Sequence, residues 1–212
     1  RVQTLHLPPL PFKGYFDKLG TEKFPILNGF SQHVVPRPAD WNEHIHITGY
    51  WFQEDARAWN PSIELKAFLA EGEAPVYIGF GSVFNATQKD ETLQLITEAL
   101  HKSGKRGILS GMGVCENLPE NLLAVDSIPH SWLFERVSLV CHHGGAGTTA
   151  AGFRAGIPSV IIPFSNDQFA WAHRAYDLGV GAEPIYRKNL SADKLAAAIQ
   201  FALKDDCIRN AK

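Results

Sequence analysis

The chain has 212 residues, 45% hydrophobic and 20% charged, with a net charge of −2. That is enough for one large domain, or one domain and a fragment of another, with an ordinary soluble core. The near-neutral balance argues against a nucleic-acid surface or a polybasic membrane patch.

Cys115, Cys141 and Cys207 are odd in number, widely spaced and form no CxxC. They read as small core residues in a reducing compartment rather than a disulfide framework. No apolar run is long enough to span a bilayer, the best being 158–164. No signal peptide is visible, and a first residue of Arg1 rather than Met reads as a piece of something longer.

Residues 1–39 are rich in proline and aromatics. Pro8, Pro9, Pro11, Pro25, Pro36 and Pro38 break any long helix there. One strand is expected over 24–30 and another extended segment over 44–51, rich in β-branched and aromatic residues. From Trp51 onward the pattern becomes regular. A short helix over 62–70 leads into a buried strand over 74–80, and Gly81-Ser82-Val83 follows as a turn. A helix over 91–102 carries Leu93, Ile96 and Leu100 on one face, with Gly104 as its stop. Strands are expected over 106–111 and 122–128, and a short helix over 129–135.

An apolar strand then runs into Cys141-His142-His143-Gly144-Gly145-Ala146-Gly147-Thr148-Thr149. A helix over 148–155 ends at Gly156, and a strand covers 159–163. A helix over 168–178 stops at Gly179. Ser191 caps the last predicted helix, with Leu195, Ala198, Ile199, Ala202 and Leu203 as its apolar stripe. Strands alternating with helices, the strands apolar throughout, predict a doubly wound parallel sheet. Ligands in such sheets sit at the carboxyl ends of the strands. Three loops leave strand ends there: Gly81-Ser82, Ile128-Pro129-His130, and 143–149.

The last of these is the most informative. Strand, glycine turn and helix together aim backbone N–H groups, a helix N-terminus and an imidazole at one point, which suits a phosphate or diphosphate. Adjacent strand residues face opposite ways, so His142 and His143 are poorly placed to share a metal. One packs into the sheet and the other, His143 by its place beside the glycines, faces a ligand. Two core histidines with no ligand is the bland alternative. Gly144, Gly145 and Gly147 clear room for the backbone to approach, and Thr148 and Thr149 offer hydroxyls or helix caps. The spacing is neither GxGxxG nor GxxxxGK[ST]. Ser82 either meets a phosphate or caps a turn. Asp167 either caps the next helix or, with Gln168, holds sugar hydroxyls. Of Phe169 and Trp171, at least one is expected in the core.

These residues resemble a known family. His143-Gly144-Gly145-Ala146-Gly147-Thr148-Thr149, then Arg154-Ala155-Gly156-Ile157-Pro158, Pro163 and Asp167-Gln168, resemble the signature of UDP-glycosyltransferases of the GT-B fold, and most of all their sterol 3-beta-glucosyltransferase branch. Val34-Val35-Pro36-Arg37-Pro38 with Trp41, Thr48-Gly49-Tyr50-Trp51, Gly79-Phe80-Gly81-Ser82 and Pro129-His130-Ser131-Trp132-Leu133-Phe134 agree in order and spacing.

The resemblance implies an α/β, Rossmann-like C-terminal lobe that binds a nucleotide sugar. Residues 47–212 would form it, and 1–46 would be the tail of an acceptor-binding N-terminal lobe plus linker. It implies that Gly81, Ser82, His143, Gly145, Ala146, Gly147 and Thr148 face the diphosphate, that backbone around Ile128 meets the base, and that Asp167 and Gln168 hold the sugar. The implied activity is inverting, metal-independent hexosyl transfer from a UDP-glucose-type donor to a sterol or similar lipid hydroxyl. The UDP-sugar is a co-substrate, and neither cofactor nor metal is expected.

The base histidine belongs to the N-terminal lobe, upstream of Arg1, so His6 and His33 are not candidates. Ser127 and Ala151 stand where plant-type members carry a base-stacking tryptophan and a ribose-binding glutamate, which argues against that branch. The expected setting is cytoplasmic, with peripheral membrane contact in the full-length protein. The rival reading is a non-catalytic UDP-sugar-binding or assembly subunit that needs a separate acceptor lobe.

Overall fold

The computed structural model describes residues 3, 6, 23–52, 59–80, 89–113, 115 and 117–212, in two compact units, Arg1–Phe52 and Gln53–Lys212. Gly81 and Ser82, and most of the proline-rich head, lie outside the described residues.

The first unit holds two short parallel strands, β1 (Ile26–Asn28) and β2 (Ile45–Ile47), joined by a long loop. Among its described residues only Val34 is a buried hydrophobic, so polar bonds must do what a core does elsewhere. Arg37 supplies them. Its guanidinium donates to the carbonyls of Trp41 (3.1 Å), Asn42 (2.7 Å) and Ile45. The Thr48 hydroxyl ties the end of β2 to Asn28 at 3.0 Å.

The second unit is a five-stranded parallel sheet in the order β5-β4-β3-β6-β7. The strands are β3 (Val76–Gly79), β4 (Gly107–Ser110), β5 (Leu122–Val125), β6 (Leu139–His142) and β7 (Ser159–Ile161). The helices are α1 (Ile63–Ala70), α2 (Lys89–Ser103), α3 (His130–Leu133), α4 (Ala146–Ala155), α5 (Gln168–Asp177), α6 (Ala192–Ala202) and α7 (Asp205–Ala211). Every residue of β3, β6 and β7 is buried, as expected of strands covered on both faces.

Alternation along the strands feeds two separate cores. Val76, Ile78, Leu109, Leu139 and Cys141 pack with Ile96 and Leu100 of α2 and Leu195 and Ile199 of α6. Tyr77, Ile108 and Val140 pack on the other face with Leu65 and Phe68 of α1, Leu133 and Phe134. Gly104, Gly156 and Gly179, read from sequence as helix stops, all adopt left-handed conformations.

The Ser191 cap accepts a bond from the Lys194 N–H. The helix it opens is not the last, because α7 follows after Lys204. The helix after the glycine turn begins at Ala146, two residues ahead of the expected Thr148. Its N-cap is Gly145, with no side-chain cap, and the Thr149 hydroxyl bonds the Gly145 carbonyl at 2.9 Å. Of the two roles open to Thr149 from sequence, it is not the cap: it lies inside the first turn and spends its hydroxyl there. No helix among the described residues is long and apolar enough to cross a membrane.

His142 ends β6 and shapes the turn that follows. Only 1% of it is exposed. Its Nδ1 accepts the N–H of Gly144 at 3.1 Å, and Gly144 has a φ of +90, where a side chain would be strained. The imidazole is thus a staple across a turn that needs glycine. Burial, with His143 and His130 nearby, pulls its pKa down to about 3. Burial likewise pushes the Cys141 thiol up to about 12, which makes it an inert core group.

Two predictions follow from this packing. Leu100→Ala empties a fully buried position and should cost about 2–5 kcal/mol in urea unfolding. For His142, the unfolded imidazole titrates near 6.5 and the folded one near 3. Between those values the unfolded chain binds the proton and the folded chain does not, so stability is intact above about pH 6.5 and falls as pH drops toward 3. His142→Asn, which keeps an acceptor for Gly144 but does not titrate, should flatten that acid slope in unfolding measured from pH 7 to pH 4.

Candidate functional site

The sheet order reverses between β3 and β6. From β3 the chain builds outward to β4 and β5, and from β6 it builds the other way to β7. Loops leaving such a pair part from each other and open a crevice at the carboxyl ends of the strands. The register places Gly79 of β3 beside His142 of β6 at that point. The site is assembled on this pair.

His143 is the first residue past β6, and its ring stands at 87° to that of His142 with centroids 6.4 Å apart. The alternation expected from sequence is what separates them: His142 is enclosed and His143 is half-buried. The Nδ1 of His143 is buried and has no hydrogen-bond partner among the described residues. A Cβ on Gly145 would sit 2.7 Å from its Nε2, so glycine is required there. Burial lowers the His143 pKa, while the Gly79 backbone and the Asp167 carboxylate pull it back up. The net effect favours the neutral imidazole in the free site, and an anion bound beside it would favour the protonated form.

In front of His143 stands the amino end of α4. The first N–H to find a carbonyl within that helix is that of Thr149, on Gly145 at 3.0 Å. The N–H groups before it form the open end of a ten-residue helix. Ala146 and Gly147 are exposed there, Thr148 is half-buried, and a Cβ on Gly147 would meet nothing within 4 Å. Backbone donors, helix dipole and His143 thus converge on open space that suits a phosphate group.

The start of α5 closes a second side. A Cβ on Gly144 would lie 3.0 Å from the Gln168 carbonyl oxygen, so the glycine turn and this helix start are in contact. Gln168 is buried, and its Oε1 accepts the N–H groups of Phe164 (2.8 Å) and Ser165 (3.1 Å). That anchorage fixes the amide and turns its NH2 group into what remains to offer. Asp167 makes no side-chain cap bond, so the capping role weighed from sequence is set aside. Its Oδ2 instead accepts the Trp171 indole N–H at 2.9 Å. Phe169 and Trp171 are both only partly buried, against the expectation that one would join the core. Phe169 packs on Tyr186, with centroids 5.8 Å apart.

Ile128 points its side chain into the second core, leaving its backbone at the end of the β5 loop. His130 follows it and was missed as a site residue, although its loop was named. Its ring stacks on Phe134 at 4.6 Å, and its Nε2 lies 3.3 Å from the Tyr77 hydroxyl. Burial lowers its pKa, and His143 nearby lowers it further. A histidine just after the proline of a strand-end loop was the signal available for it. Among the described residues no three His, Cys, Asp or Glu side chains converge as a metal-binding group.

Residues 110–212 match the family described as Erythromycin biosynthesis protein CIII-like, C-terminal domain. A sterol 3-beta-glucosyltransferase of Arabidopsis thaliana is 40% identical over 212 residues, covering 97% of this chain and 34% of that protein. One from Saccharomyces cerevisiae is 36% identical over 224 residues, covering 99% of this chain and 18% of that protein. The chain thus spans about a third or less of the sterol glucosyltransferases it matches. Among solved structures, the glycotransferase of kitacinnamycin superposes with a TM-score of 0.71 at 21% identity, over 88% of this chain and 48% of that one. Arabidopsis thaliana UGT89C1 complexed with UDP-L-rhamnose gives 0.70 at 22% identity, over 90% and 52%. The chain belongs to the UDP-glycosyltransferase superfamily of GT-B fold, and its residues 110–212 form an EryCIII-like C-terminal domain.

Proposed function

We propose that this chain is the donor-binding lobe of a glycosyltransferase that moves a hexose from a UDP-sugar to the hydroxyl of a sterol or similar lipid. The convergence of the open α4 terminus, the unpartnered Nδ1 of His143 and the Asp167–Gln168 pair on one crevice carries this reading. The sterol 3-beta-glucosyltransferases among its relatives support the substrate class.

In this reading the diphosphate lies against the N–H groups of Gly145, Ala146, Gly147 and Thr148, with His143 beside it. By the family resemblance Gly81 and Ser82 also meet the diphosphate, and the base meets the Ile128 backbone. Asp167 accepts from a sugar hydroxyl, and the Gln168 NH2 group donates to another. Transfer is one displacement: the acceptor oxygen bonds to the anomeric carbon as that carbon's bond to the diphosphate breaks, inverting the centre. The leaving diphosphate gains negative charge, and the helix terminus and His143 stabilise it where it develops. Losing one such donor costs roughly 10²–10³ in rate. This stabilisation needs no cofactor and no metal. The base that takes the acceptor proton, and the acceptor pocket itself, belong to an acceptor-binding lobe. The chain alone therefore binds donor without turnover. A cytoplasmic setting with peripheral membrane contact fits a lipid acceptor.

Titration calorimetry tests the reading. UDP should bind the full chain, and absence of heat at millimolar ligand overturns it. His143→Ala removes a hydrogen bond to a charged group and should weaken UDP roughly 10- to 100-fold; an unchanged Kd removes His143 from the site. Gln168→Glu keeps an oxygen for the Phe164 and Ser165 N–H groups but replaces the donor with an acceptor. It should leave UDP binding intact and erase any added affinity for UDP-glucose, measured as the ratio of the two Kd values.

A further inference from the structure

Ser62, Asp167 and Ser191 stand ahead of α1, α5 and α6, and all three are residue types that cap helices with their side chains. The two serines do so. Ser62 (φ −61, ψ 159) and Ser191 (φ −146, ψ 162) have extended backbones, and each hydroxyl accepts the N–H three residues on. Asp167 makes no such bond, and its backbone is already helical at φ −67, ψ −14. The turn before it holds it so: the Gln168 N–H closes on the Ser165 carbonyl at 3.2 Å, with Asn166 in the left-handed region at φ +53. Side-chain capping uses an extended backbone, so the carboxylate is left with no N–H of α5 to accept.

What holds the carboxylate is one turn further on. Trp171 is its i+4 neighbour on the same helix face, and the indole N–H donates to Oδ2 at 2.9 Å. An indole nitrogen can only donate and a carboxylate can only accept, so the direction of this bond is fixed. Oδ1 has no hydrogen-bond partner among the described residues. The carboxylate lies close enough to His143 to raise its pKa, which puts it on the crevice side. The helix that carries both residues is itself braced, by Tyr186 packed on Phe169 with its hydroxyl 2.9 Å from His173 Nε2.

We propose that Trp171 is a positioning residue: its indole N–H holds the Asp167 carboxylate in one orientation and presents Oδ1 to the sugar of the bound donor. The sugar half of this statement rests on the donor-binding reading above; the hold of the indole on the carboxylate does not. Asp167 is exposed. An exposed side chain left to itself turns among several rotamers, and ordering it opposes binding. The indole orders this one during folding, before the ligand arrives.

The test is titration calorimetry of UDP and UDP-glucose on the full chain, in a double-mutant cycle of Trp171→Phe and Asp167→Ala. The readout is the ratio of the two Kd values. Trp171→Phe keeps an aromatic ring and loses the donor. It should leave UDP binding unchanged and cut the relative affinity for UDP-glucose roughly three- to tenfold, the scale of one hydrogen bond. In the Asp167→Ala background the same change should do nothing, because a positioning residue acts only through the group it positions. An unchanged ratio in Trp171→Phe overturns the proposal, and so does a wild-type ratio in Asp167→Ala. An equal fall with and without Asp167 also overturns it, since loss of packing alone would give that result. If Trp171→Phe does not fold, NMR of the indole N–H groups in Asp167→Ala decides it. One indole signal should shift and exchange faster with water, and an unchanged spectrum overturns the hold. If the wild type binds no UDP, the donor-binding reading fails, while the indole spectrum still judges the hold.

Discussion

β3 and β6 lie side by side as parallel partners, and the chain leaves them in opposite directions. In parallel sheets such a reversal of strand order is where connections part over opposite faces and ligands bind at the carboxyl ends of the strands. Everything in the site depends on that one pairing. It places Gly79 beside His142 and sets the glycine turn and α4 at that end of the sheet.

The two adjacent histidines show how a strand divides labour. His142, still within the pleat, is enclosed and spends its Nδ1 on Gly144, fixing a turn whose backbone only glycine adopts easily. His143, one residue on, is half-buried and carries a nitrogen that no described residue satisfies. A buried polar atom without a partner costs free energy, and that cost is returned when a ligand supplies the missing bond. Burial holds His130, His142 and His143 toward neutrality, and His143 nearby adds to this at His130 and His142. At His143 the Gly79 backbone and the Asp167 carboxylate oppose the downward push of burial, which still prevails.

The opposite wall is built by anchorage rather than by charge. The Gln168 oxygen holds the 164–165 turn, and the Trp171 indole holds one oxygen of Asp167. Each side chain is therefore fixed by one atom and offers the other. The first unit uses a related economy, with Arg37 tying three carbonyls together where, among the described residues, only Val34 is a buried hydrophobic.

The order of elements, the parallel sheet and the three glycine stops were legible in the sequence, because apolar runs and glycine placement are local signals. So was the difference in burial between His142 and His143, since strand alternation is a local rule. The helix α7 was not legible, being a short, polar segment with only Cys207 buried. The start of α4 was misplaced by two residues because a glycine N-cap leaves no side-chain signal. Which face Asp167 uses, which end of the Gln168 amide is free, and the meeting of Tyr77 and His130 were decided only by the tertiary structure. Those contacts join residues far apart in the chain, or depend on which of two equivalent polar atoms finds a partner. Sequence determines which chemical groups are present and on which strand ends they stand; packing alone settles which of their atoms are spent on the fold and which are left for a ligand.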